Sequence, residues 1–176
     1  MARNFQNATP KGGKNTGSDI WLTPKWLIDA TGPYDLDPCA HLVDGKPIVP
    51  TARDYITEEQ NGLTSPWYGD VFVNPPYSNL NEWLQKCKYE HSGNDAVNSI
   101  MVLCFARTET KAFQNNLYWC DGINLIKGRI KFLNQFGVEQ GNGNAPSVLI
   151  AFGARAYEKL REVEGIVFRN DRLRLT

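Results

Sequence analysis

The chain is 176 residues long, enough for one domain with a real core. Its apolar share of 41% and charged share of 22% are ordinary for a globular protein, and 19 Lys and Arg balance 19 Asp and Glu. That balance excludes a strongly basic, nonspecific nucleic-acid binder but leaves local patches open. No apolar run is long enough to span a bilayer, and the first residues lack the apolar stretch of a secretory signal, so a cytoplasmic protein is expected. Cys39, Cys87, Cys104 and Cys120 are widely spaced, with only His41 and His91 to join them. Reduced thiols and no metal site are the expectation.

Residues 1–18 are rich in Asn, Gly, Lys and Thr and read as a flexible arm ahead of one domain over 19–176. Lys11 and Lys14 of that arm are candidate phosphate contacts, although a solvated tail is the commoner reading. Thr23 followed by Pro24 predicts a helix start, with Thr as N-cap and Pro at the first helical position. The helix ends near Thr31-Gly32-Pro33. Tyr34 to Ala40 reads as a short strand that ends in an acid and a proline. A carboxylate at a strand tip can accept hydrogen bonds from a ligand ammonium or hydroxyl. Asp37 is preferred to Asp35 because it sits at the tip beside Pro38. Residues 41–69 form a long irregular stretch that includes Asp54 and Tyr55, and loops this long are usually functional or disordered.

Val71-Phe72-Val73 reads as a buried strand, and Asn74-Pro75-Pro76-Tyr77-Ser78 ends it. Neither proline can donate a backbone hydrogen bond, and Asn74 is pushed toward an extended backbone by the proline after it. The outcome is a rigid loop at a strand's carboxyl end, where open α/β sheets place ligands. Next comes a helix capped by Asn79 or Asn81 and running to about His91, with Trp83, Leu84 and Cys87 on its buried face. Ser99–Cys104 is a near-continuous apolar run and reads as a central parallel strand, with Arg107 just past its tip. A helix from about Thr110 to Trp119 and a strand at Gly122–Ile126 follow. Lys127 to Phe132 alternates basic and apolar residues, so as a strand it shows Lys127, Arg129 and Lys131 on one face. Residues 137–146 read as a mobile loop, and Ser147–Phe152 returns as an antiparallel partner of the basic strand. A charged helix near Ala156–Glu164 and a strand-like piece at Ile166–Phe168 close the chain.

The residue types around Asn74 suit one kind of chemistry. An exocyclic amine on a base is a poor nucleophile because its lone pair is delocalised into the ring. The Asn74 side-chain carbonyl and the Pro75 backbone carbonyl can both accept hydrogen bonds from such an amine. That localises the lone pair and aims it, with the gain coming from orientation and preorganised dipoles. Tyr77 offers a flat face for a base to stack on, worth roughly 1–3 kcal/mol.

Asn-Pro-Pro-Tyr in this setting resembles the catalytic motif of the S-adenosylmethionine-dependent amino-methyltransferases. The wider order is Trp-x-Thr-Pro, Leu-Asp-Pro-Cys-Ala, Asp-Tyr-Ile-Thr, Gly-Leu, Trp, Asn-Pro-Pro-Tyr-Ser, Ala-Arg-Thr-x-Thr, Gly-Arg-x-Lys-Phe, Ala-Pro-Ser. Over about residues 19–152 it resembles the phage-type, Dam-like DNA N6-adenine methyltransferase family. The resemblance implies a single α/β domain, a Rossmann-like methyltransferase fold with a mixed sheet and an antiparallel C-terminal hairpin. It implies S-adenosyl-L-methionine as donor and adenine in double-stranded DNA as acceptor, flipped from the stack. Asn74, Pro75, Pro76 and Tyr77 take the catalytic positions. Trp21, Thr23, Pro24, Asp37, Pro38, Cys39, Ala40, Asp54, Tyr55 and Asn74 take the cofactor positions, with Asp54 on the ribose hydroxyls. Tyr77, Ser78, Arg107, Lys127, Arg129 and Lys131 are the DNA candidates.

The chain departs from methyltransferases generally in lacking a Gly-x-Gly after its first strand, so Cys39 and Ala40 must let the ligand close with small side chains. With no separate recognition domain, residues 127–146 and the first arm are expected to touch DNA with short or relaxed sequence recognition. The same chemistry on RNA or on a protein amide, and a non-catalytic nucleic-acid-binding module, remain open on sequence alone.

Overall fold

Two long apolar runs become the middle of the sheet because both of their faces are covered. In the computed structural model, which describes residues 20–142 and 145–171, β5 (Gly69–Val73) pairs in parallel with β6 (Val97–Phe105). On the far side of β5 lie β1 (Leu36–Asp37) and then β4 (Asp54–Tyr55), both parallel to it. On the far side of β6 lie β10 (Ser147–Phe152), β7 (Gly122–Ile126) and the edge strand β11 (Gly165–Arg169). Each of these last three contacts is antiparallel, so β7 runs with β6 while β10 and β11 are reversed. The seven-stranded order is β11-β7-β10-β6-β5-β1-β4.

The period of two along β5, β6 and β10 sorts their side chains into two cores. Val71, Val73, Ile100, Val102, Cys104, Val148 and Ile150 face α2 (Leu80–Gly93) and α3 (Lys111–Leu117), meeting Trp83, Leu84, Cys87 and Phe113. Phe72, Met101, Leu103, Leu149 and Ala151 face the other way, toward Leu27 and Ile28 of α1 (Lys25–Thr31) and Ala156 of α4 (Ala154–Lys159).

Most expected elements are present with shifted ends. Asn79 holds the N-cap position of α2 without a side-chain bond, whereas the Thr110 Oγ1 caps α3 by accepting from Phe113 N at 3.2 Å. Thr23 does not cap α1: the helix begins after Pro24, and the Thr23 hydroxyl is spent elsewhere. The irregular stretch contains a small hairpin, β2 (Leu42–Val43) against β3 (Lys46–Pro47), turned at Asp44 and Gly45 with φ of 50 and 73. The largest correction concerns the basic segment. The chain bends at Gly128, whose φ of 78 is glycine territory, and strand geometry resumes only in β8 (Lys131–Leu133). β8 pairs with β9 (Glu139–Asn142), inside the stretch expected to be loop, and not with β10. The place beside β10 is filled by β6 and β7, whose apolar side chains can be buried on both faces. The arm expected at residues 1–18 lies outside the described residues.

Candidate active site

The strands β1, β5 and β6 all end at one edge, and the sequence-predicted residues gather there. Asn74 directly follows β5. Its Nδ2 donates to the Trp21 carbonyl at 2.6 Å and to Thr23 Oγ1 at 3.1 Å. A carbonyl oxygen can only accept, so the bond to Trp21 fixes which way the amide is turned. Its carbonyl oxygen Oδ1 is left with one long bond, from the Tyr77 hydroxyl at 3.4 Å. Thr23 is buried and Asn74 is half-buried, so the clamp is partly shielded from water.

The segment carrying Trp21 is held against the sheet by the β8–β9 hairpin. Leu22 and Leu133 exchange two backbone bonds at 2.8 and 2.9 Å, and Gln140 Nε2 donates to the Ile20 carbonyl at 2.9 Å. Aromatic rings line the space beside Asn74. Tyr77 stacks on Phe105 at 4.0 Å between centroids, and Trp21 meets Phe105 and Phe132 edge-on at 5.9 and 5.8 Å. One face of Tyr77 is therefore already covered by Phe105.

Asp37 ends β1. Its Oδ1 accepts from Cys39 N at 3.0 Å and its Oδ2 from Thr51 Oγ1. Burial pushes its carboxyl above the usual carboxylate range, and these bonds pull back against that. Burial, then the Asp37 charge, raises the Cys39 thiol, which lies against the Asn74 backbone. Burial likewise raises the Tyr77 hydroxyl. Pro24 and Pro38 are buried, and Ala40 is half-buried. The close approach expected of a glycine-rich loop is supplied from another segment: a Cβ on Gly62 would lie 1.9 Å from the Pro38 carbonyl. Trp67 Nε1 fixes Gly62 by donating to its carbonyl at 2.8 Å.

Asp54 is not brought into this cluster. Its carboxylate is exposed, accepts from the Tyr68 hydroxyl at 2.5 Å and faces Arg53 at 3.6 Å. Tyr68 immediately precedes β5, so the carboxylate is drawn toward the opposite end of the sheet. Its neighbour Tyr55 pairs with Asp37 across the strands and donates its hydroxyl to the Ala52 carbonyl. Asp35, the rival acid, accepts from Asp70 N at 2.9 Å and pairs with Arg53, again away from Asn74.

Ser78 is exposed in the short 3-10 turn Tyr77–Asn79, and Arg107 is exposed just past β6. Lys127 and Lys131 are exposed but ion-paired, with Glu164 and Glu139, and Arg129 is exposed between them. Thr51, Gly62, Phe105 and Phe132 were not among the expected site residues: Gly62 and Phe132 stand in the Gly-Leu and Gly-Arg-x-Lys-Phe motifs, but the contacts of all four lie across the fold. Among the described residues, no group of three His, Cys, Asp or Glu side chains could hold a metal ion. No described helix is long and apolar enough to cross a membrane.

A mixed α/β sheet with an amide–proline loop at its carboxyl edge has the arrangement in which open α/β sheets place ligands. The comparisons make this specific. A sequence model of the family described as DNA N-6-adenine-methyltransferase (Dam) matches residues 11–175, and the chain belongs to that family. It is also 30% identical over 156 residues to the DNA N-6-adenine-methyltransferase of Haemophilus phage HP1 (strain HP1c1), covering 84% of this chain and 86% of that relative.

Proposed function

We propose that the protein transfers a methyl group from S-adenosyl-L-methionine to the exocyclic amine of an adenine flipped out of double-stranded DNA. The observation that carries this reading is the clamped Asn74 amide. With Nδ2 committed to Trp21 and Thr23, Oδ1 stands ready to accept from an amine. The Pro75 carbonyl is the second acceptor. Two fixed acceptors localise the amine lone pair and aim it, without a strong base.

The sheet supports a Rossmann-like methyltransferase reading. Five strands share one direction, and the reversed β10 is inserted between β6 and β7. The residues also suit the donor. Asp37 carries two buried bonds and has lone pairs left for a ligand. Pro38 packs on Gly62 and leads into the small side chains of Cys39 and Ala40. Trp21 and Thr23 are held at Asn74, and in this reading they and Pro24 close over the donor. When bound, the donor supplies an electrophilic sulfonium methyl. The chain's own part is to orient the amine, exclude water with Trp21, Phe105 and Phe132, and let the amine's surplus proton leave along the Asn74 or Pro75 bond.

In this reading the base stacks against Tyr77 on the side away from Phe105. Tyr55 lies beside Asp37 toward the adenosine end, and Asp54 reaches the ribose hydroxyls only by releasing Tyr68. Ser78, Arg107, Lys127, Arg129 and Lys131 contact the DNA in the cytoplasm of a phage-infected or lysogenic cell. The test is transfer of a labelled methyl group to unmethylated duplex DNA, followed by nucleoside analysis. N6-methyladenine is expected. Cofactor binding without incorporation into DNA would reject the reading.

A further inference from the structure

The β11 edge of the sheet is open to further pairing. β11 follows β7 without a register shift and carries no proline, lysine or bulge of the kind that closes an edge. Its one charge, Arg169, sits at the end of the strand and is paired with Asp171 at 3.2 Å. The hydrogen-bond phase is fixed at both ends of the ladder. Lys127 N donates to the Glu164 carbonyl at 3.0 Å, and Asn170 N donates to the Asp121 carbonyl at 2.9 Å. Bonded pairs alternate in an antiparallel ladder, so Ile166 and Phe168 also turn their backbone groups toward β7. Gly165, Val167 and Arg169 turn theirs outward, and among the described residues no strand lies beyond them.

The side chains beside this edge are apolar. Val167 packs with the core on the α4 side. By the period of two, Ile166 and Phe168 stand on the opposite face, where they are 62% and 50% exposed. Across the ladder they meet Leu125 and Ile123, which pack against the core on the α2 side. An outward-turned ladder beside an exposed apolar row is the arrangement to which a further strand adds.

The edge is complementary to itself. A second β11, set antiparallel about a two-fold axis through Val167, brings all the outward residues into bonded pairs. Val167 meets Val167 of the second copy, and Gly165 meets Arg169 of the second copy in both directions. Ile166 falls opposite Phe168 of the second copy, at the non-bonded positions where side chains come closest, about 4.5 Å between Cα atoms. No like charges face each other: Arg169 meets Gly165, which has no side chain, and Glu164 meets Asn170. An axis at Ile166 would instead set Phe168 against Glu164, and an axis at Phe168 would set Ile166 against Asn170.

We propose that the protein pairs with a second copy of itself through β11, joining two sheets into one across a two-fold axis. The axis stands normal to the sheet, so strand directions reverse in the second copy and the two Asn74 sites open at opposite ends. The two-fold consumes both β11 edges, so assembly stops at the dimer. The proposal stands apart from the methyl-transfer reading, because no residue of β11 belongs to the site.

Sedimentation velocity of the full chain from about 1 to 100 µM tests it, with a monomer–dimer equilibrium and no larger species expected. Val167→Pro deletes an outward N–H and no bond to β7, and should weaken the dimer at least about tenfold. Ile166→Lys with Phe168→Lys sets like charges opposite each other and should leave a monomer. Ile166→Lys with Phe168→Glu gives up the same apolar side chains but sets Lys against Glu, and should dimerise at least about tenfold more tightly than the double-lysine variant. If Val167→Pro does not fold, the two charged variants decide.

A monomer throughout the range would overturn the proposal. Protection of the Val167 amide from hydrogen exchange in that monomer would mean that another part of this chain covers the edge. A dimer equally strong in every variant would place the interface elsewhere and also overturn it, as would equal affinities for the two charged variants or growth beyond the dimer.

Discussion

In the proposed reaction Asn74 works through the direction of its amide, not through acidity, and that makes residue-scale outcomes sharp. Asn74→Ala removes the aimed acceptor and should lower methyl transfer by about a thousandfold, while cofactor binding measured by titration changes little. Unchanged turnover would reject the assigned role. Thr23→Val keeps the shape but removes one of the two acceptors that hold Nδ2. Turnover should fall about tenfold with KM steady, and Thr23→Ser should restore it. Asp37 is the opposite case, a carboxylate held at a cost. Its folded-state pKa is raised by burial, so the stability it contributes is full below the ordinary carboxylate value and is lost as pH rises through the raised value. Asp37→Asn should therefore weaken cofactor binding yet raise Tm at neutral pH, and that gain should vanish in acid below the ordinary carboxylate pKa. A lower Tm at neutral pH would mean that the bonds from Thr51 and Cys39 outweigh the burial.

At the scale of elements, α2 shows how far a sequence pattern carries. Trp83, Leu84 and Cys87 were expected on its inner face at helical spacing, and they are buried there. The same spacing places Lys86 and Glu90 four apart, so they are neighbours on the helix surface. In the fold they are an ion pair with side chains only 4% and 3% exposed. Lys86 Nζ lies 5.5 Å from the Trp67 ring centroid, and Glu90 accepts from Asn94 Nδ2 at 2.5 Å. Lys86→Met strands the buried carboxylate and should cost about 3–5 kcal/mol in urea unfolding, while Lys86→Met combined with Glu90→Gln should recover much of it. A loss under about 1 kcal/mol for the single change would mean that the pair is open to solvent. What the sequence left hidden has one cause throughout. The strands, the helices and the Asn74 loop were legible because period, proline and caps are local. The Thr23 hydroxyl facing Asn74, Gly62 beneath Pro38, and Asp54 turned toward Tyr68 are contacts between distant segments. The basic strand was misplaced for the same reason: alternation fixed its faces but not its partner, and Gly128 turned it away.

For the whole molecule, the zero formal charge and the pairing of its basic groups bear on how it holds DNA. Lysines that bind phosphates raise affinity by releasing counterions, with a log–log salt slope of about −0.9 per neutralised phosphate. Of the candidates named here, Lys127 already faces Glu164 and Lys131 faces Glu139 at 2.9 Å. A lysine with its own carboxylate releases fewer ions on meeting a phosphate, and the carboxylate repels the backbone. Binding to duplex DNA should therefore show a shallow slope, no steeper than about −4, and be weak away from the target. Glu139→Gln removes the carboxylate beside Lys131 without touching the site wall. It should tighten nonspecific binding at low salt and steepen the slope by about one. The same change should leave the methylation rate at saturating duplex DNA alone, because it adds attraction to the backbone and nothing at Asn74. A fluorescence-anisotropy titration from low to moderate salt reads both quantities. A slope near −8 in the unaltered protein, or no change in Glu139→Gln, would mean that DNA meets a different face from the one that carries the β8–β9 hairpin.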